Sequence, residues 1–79
     1  MEAKLTFQYD RDADILYISK RHPYPEQDSE EVSDGVVARL NPSTGEVENL
    51  EILFFSTRLQ RNDVLELPVT ADLKLAAKR

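Results

Sequence analysis

The run from Asp34 to Leu53, DGVVARLNPSTGEVENLEIL, constrains the fold more than any other part of the chain. It reads as two β-strands joined by a tight turn. Pro42 presets φ at about −65°, which suits the first central position of a type I turn. Asn41 can cap that turn through its side chain, and Gly45 can take the positive φ that closes a bulged hairpin loop. Val36, Ala38 and Leu40 alternate onto one face of the first strand, and Leu50 and Ile52 share a face of the second. Glu48, Asn49 and Glu51 give the returning strand a wetter aspect, so one buried and one partly solvated face are expected. Asp34-Gly35 marks another sharp turn just upstream.

The flanking segments fit a sheet built outward from this hairpin. Leu5, Phe7 and Tyr9 alternate with Thr6 and Gln8 as in a half-buried strand. Asp10 to Asp14 supplies a polar turn whose side chains can bond their own backbone, and Ile15 to Ile18, β-branched and aromatic, returns as a central strand. Tyr9 and Tyr17 are expected to face each other across that first hairpin. Between Lys20 and Ser33 the pattern breaks. Pro23 and Pro25 flank Tyr24 and favour extended backbone. Glu26, Asp28, Glu30 and Glu31 then make residues 20–33 an acidic, mobile loop, with Val32 the place where the next strand can begin.

Beyond the central hairpin, at least one of Phe54 and Phe55 is expected in the core. Ser56 or Thr57 can cap a short helix carrying Arg58, Leu59, Gln60 and Arg61. Val64, Leu65 and Leu67 recover an extended pattern that Pro68 stops. Thr70 reads as the cap of a C-terminal helix, with Asp72 in its first turn, Lys78 and Arg79 in its last, and Leu73, Ala76 and Ala77 on one face. About ten residues long, such a helix is marginal alone and must dock or fray. The expected fold class is therefore α+β: a four- to five-stranded antiparallel β-meander with a short C-terminal helical segment packed on one face.

Seventy-nine residues make one domain, spanning 1–79, and a chain of this size buries only about 60% of its unfolded surface. The absence of cysteine excludes disulfides, thiolate chemistry and zinc–thiolate sites. A small domain without such staples leans on a partner subunit, so a homodimer is expected. Fifteen acidic residues against ten Lys and Arg give a net charge of −5, which disfavours nucleic acid and anionic lipid as partners. No apolar run approaches the roughly 20 residues of a membrane span. The opening MEAKLTFQYD is mixed and strand-like rather than a signal peptide, and a cytoplasmic protein is the plain expectation.

Candidate chemistry is sparse. Asp10, Asp12 and Asp14 have the spacing that opens an EF-hand calcium loop, but Ile15 and Arg21 stand where the loop needs glycine and glutamate. A capped, solvated turn explains them better. His22 is the single histidine, without an identifiable nucleophile or carboxylate beside it in sequence. Ser43 and Thr44 lie in a hairpin turn, not in the elbow of a hydrolase serine. Glu48 with Glu51, or Glu30 with Glu31, would need a cleft to act as an acid/base pair. Arg58 and Arg61, at i and i+3, can share a helix face and grip a phosphate or an acidic group, although a solvated face accounts for them too. No catalytic set, cofactor motif or metal site is expected, which leans against an enzyme.

Tyr9-Asp10, Asp14-x-Leu16-Tyr17-Ile18, Asp34-Gly35-Val36, Gly45-x-Val47 and Glu51-Ile52-Leu53 together resemble domain-of-unknown-function family 2283 over about Phe7 to Leu59. The Lys20–Ser33 stretch and the Phe54-Phe55 pair depart from the plainest family pattern. The resemblance implies a compact antiparallel domain of bacterial origin and carries no established activity, cofactor or catalytic residue. Members are often encoded beside small toxin-like proteins, which implies a partner-binding role. The functional expectation is a protein-interaction module, an acidic neutralising partner of a basic toxin-like protein, with Arg58, Arg61, Phe54 and Phe55 as interaction residues. The alternative is a small-ligand or minor enzymatic role using Arg58, Arg61 and the acidic strand residues.

Overall fold

The computed structural model describes residues 4–62 and 64–76. Five strands form one antiparallel sheet: β1 (Thr6–Asp10), β2 (Ile15–Ser19), β3 (Asp28–Ser33), β4 (Val36–Leu40) and β5 (Val47–Leu53), followed by one helix, α1 (Phe55–Arg61). The strand order is β1-β2-β5-β4-β3, so β5 lies at the centre and β1 and β3 are the edges. The α+β class is as the sequence predicts. The 20–27 connection carries the chain from β2 across to the far edge, so β2 pairs with β5 rather than with β3.

The central hairpin forms as its turn residues dictate. The Asn41 side-chain oxygen accepts from the backbone of Ser43 at 2.8 Å and of Thr44 at 3.1 Å, and Gly45 takes a φ of +76°. Val36 stands opposite Ile52 and Ala38 opposite Leu50. These four residues are the buried apolar core. Leu16 and Ile18 of β2, Leu40, Val47, Phe55 and Leu65 pack around them from the same side. A β-bulge interrupts the β4–β5 ladder: Arg39 pairs with Asn49 but Leu40 with Val47, leaving Glu48 as the extra residue.

Four expectations are corrected. The acidic loop is shorter than 20–33, because Asp28–Ser33 is a strand paired to β4 through the two-residue Asp34-Gly35 turn. Tyr9 pairs with Leu16 and Tyr17 with Gln8, so the two tyrosines lie on opposite faces. Glu48 and Asn49 are buried rather than wet. Finally, residues 70–76 form no helix, and Val64, Leu65 and Leu67 join no strand; residues 77–79 lie outside the described ones. One leucine and two alanines give that stripe too little apolar surface to overcome the cost of nucleating a helix. The helical segment of this fold is α1 instead, and no helix among the described residues is long and apolar enough to cross a membrane.

Candidate interaction site

The acid-rich turn after β1 is a structural device. The Asp10 carboxylate accepts from the backbone N–H groups of Asp12 and Ala13. Asp14, in a left-handed conformation at φ +58°, reaches across to α1. Its carboxylate accepts from the Ser56 N–H and hydroxyl, both at 2.9 Å, and from the Tyr9 hydroxyl at 2.6 Å. The Tyr9 hydroxyl, then the Ser56 N–H, hold this carboxyl below its ordinary range. Helix α1 is thus capped from 42 residues away, not by Ser56 or Thr57 acting locally. Among the described residues no group of three or more His, Asp or Glu is arranged to hold a metal ion.

A second polar cluster fixes the loop between β2 and β3. Glu48, 6% exposed, accepts from the Tyr24 hydroxyl at 2.7 Å, the Gln27 amide at 3.0 Å and the Asn41 amide at 3.1 Å. Gln27 also donates to Asn49 at 2.8 Å, and Asn49 donates to the Arg21 carbonyl at 2.6 Å. The Arg21 guanidinium stacks over the Tyr24 ring at 4.5 Å. Donation from Gln27, then from Tyr24, keeps the Glu48 carboxyl below the usual range, while the same carboxylate raises the Tyr24 hydroxyl above its ordinary value. A carboxylate saturated with donors is a poor base at neutral pH. Glu51 is engaged by Arg39 at 2.8 Å, and Glu30 and Glu31, successive in a strand, point to opposite faces. None of these pairs makes an acid/base couple. His22 is exposed in the loop.

The four residues singled out for interaction separate in space. The Arg58 guanidinium donates to the carbonyls of Leu53, at 2.7 Å, and Asp34, tying α1 to the β3–β4 turn. Arg61 is exposed at the end of α1. Phe55 turns inward onto the core and against Tyr9, ring centroids 5.8 Å apart. Phe54 is 62% exposed and holds φ +56°, a left-handed conformation that costs a non-glycine residue about 1–2 kcal/mol.

Two surfaces escaped the sequence reading. The first is the β3 edge, where Asp28, Glu30 and Glu31 line a strand whose outer backbone groups meet no other strand among the described residues. Its signal was present in Asp28-Ser29-Glu30-Glu31-Val32, masked because acidic residues have poor strand propensity. The second is a groove of about 1570 Å³ between the apolar face of the sheet and residues 67–76, which run over that face without filling it. A smaller hollow of about 290 Å³ lies on the opposite face between Tyr17, Tyr24 and Arg39. Neither Arg58 nor Arg61 lines the groove or the hollow.

Residues 6–56, from β1 to the first turn of α1, match the model of a family described as protein of unknown function (DUF2283). No curated protein and no solved structure matches the chain significantly.

Proposed function

Because the chain belongs to the DUF2283 family, whose description names no activity, we propose from its surfaces that it is a protein-interaction module recruiting a basic partner along the β3 edge. The observation that carries this reading is the open edge strand itself. A sheet edge offers a row of backbone donors and acceptors to an added strand, which is a general mode of peptide recognition. On β3, Glu30 lies on the face of Ala38, while Ser29 and Glu31 lie on the face of Arg39 and Val37. Acidic side chains thus flank the edge on both sides. A lysine- or arginine-rich strand added there gains an opposite charge on either face, each cross-strand pair contributing roughly 0.2–1 kcal/mol. A second acidic copy meets like charges and is turned away. A neutralising role toward a basic toxin-like protein is the specific form of this reading, supported by the net charge of −5. The proposal sets the chain in a bacterial cytoplasm, where a protein without cysteine loses nothing to a reducing environment.

The test is fluorescence anisotropy of a labelled strand-forming peptide that alternates lysine with valine, titrated with the full chain. Saturable binding that weakens with added salt and is lost in the Glu30→Lys, Glu31→Lys double variant is expected. Equal affinity for the wild type and the charge-reversed variant refutes the reading.

A further inference from the structure

We propose that the groove under residues 67–76 is a dimerisation surface whose occupant is a second copy of this chain. The core is thin: among the described residues only Val36, Ala38, Leu50 and Ile52 are buried apolar residues, and large apolar side chains on the same side remain in solvent. Phe7 is 62% exposed although it pairs with Ile18, which lines the groove. Leu73 and Leu75, on the other wall, are 77% and 86% exposed, and Leu5 is also exposed. At roughly 150–250 Å² per large side chain, the exposed fractions of Leu5, Phe7, Leu73 and Leu75 sum to the order of 400–650 Å² of apolar surface. A stable interface takes about 800 Å² from each partner, some two-thirds of it apolar at its core. One copy of this face offers apolar surface of that order.

Charge selects the occupant. The groove is lined by Lys4, Lys20 and Lys74 against Glu46, Glu48 and Asp72, a balanced set in a chain whose net charge is −5. Lys20 is paired with Glu46, Lys74 lies 3.7 Å from Asp72, and Glu48 is held by its buried network. A strongly basic partner finds no excess of acid here. A second copy finds a neutral rim, and a two-fold axis sets each wall against its own complement. At about 1570 Å³, the groove exceeds the roughly 300–1,000 Å³ of ordinary small-molecule sites. Self-association through this face leaves the β3 edge free.

Light scattering on the full chain over a dilution series tests this directly. The expected mass is twice the 9.1 kDa of one chain at high concentration, falling to one chain on dilution. Leu73→Asp with Leu75→Asp, and separately Phe7→Asp, should each raise the dissociation constant by about tenfold or more while circular dichroism stays unchanged, since these side chains are largely exposed in the single chain. Glu30→Lys should leave the dissociation constant where it is. A 9.1 kDa particle at every concentration up to about millimolar overturns the proposal. So does a dimer that ignores the groove substitutions, or a monomer that instead takes up an apolar dye lost in the Leu73 and Leu75 variant.

Discussion

Gly35→Ala isolates what Arg58 does. Gly35 closes the β3–β4 turn with φ +73°, where a residue bearing a Cβ loses about 1–2 kcal/mol. The added methyl also lands inside contact distance of the Arg58 guanidinium. That end of the side chain is flexible, so the clash is relieved by swinging it away, which breaks the bond to the Asp34 carbonyl. A charged hydrogen bond is worth about 1.5–3 kcal/mol, and partial exposure reduces this one to about 1 kcal/mol. The expected total is about 2–3 kcal/mol, read as a fall in the urea midpoint with unchanged slope. With Arg58→Ala as background, only the backbone strain remains and the same substitution should cost about 1–2 kcal/mol. A coupling energy near 1 kcal/mol therefore marks Arg58 as a clamp on the turn. Costs that add within about 0.5 kcal/mol would refute that role.

Three other outcomes follow from the same geometry. Ile52→Ala empties the centre of a four-residue core and should cost about 2–5 kcal/mol, enough to show as a broad loss of cooperative thermal unfolding. Because Gln27 and Tyr24 keep the native Glu48 carboxyl below its ordinary range, its contribution is complete above the unfolded-state pKa and disappears as pH falls through the native one. Urea midpoints should thus decline through and below the usual carboxylate range, with a shallower acid limb in Glu48→Gln; identical limbs contradict the network. Phe54→Asn replaces an exposed ring by a residue that tolerates the left-handed conformation and should raise stability by roughly 0.5–1 kcal/mol in a thermal melt.

How much of this was legible in the chain depends on the range of each interaction. The central turn could be read residue by residue because Asn41, Pro42 and Gly45 act on their own neighbours. The core could be read because Val36, Ala38, Leu50 and Ile52 keep period two. Strict alternation also put Glu48 in line with Leu50 and Ile52, yet its charge argued for solvent. Only the bulge, together with donors from Tyr24, Gln27 and Asn41, makes its burial tolerable. No local pattern encodes Asp14 as the cap of α1, since its partner is 42 residues distant. Arg58 carried a misleading signal: an i, i+3 pair with Arg61 suggests a shared ligand, whereas backbone carbonyls had already claimed its guanidinium. The β3 edge was hidden by composition and the groove by a helical stripe too weak to form its helix, so both proposed interaction surfaces emerge only with the sheet order.

The most direct test of the interaction module is residue-resolved amide hydrogen exchange of the full chain, alone and saturated with the lysine-alternating peptide. Outward amides of Asp28 to Glu31 are expected to exchange freely in the isolated chain and to gain protection in the complex, while β1 on the opposite edge is unaffected. Protection that appears at β1 or within the groove, with β3 unchanged, would contradict it.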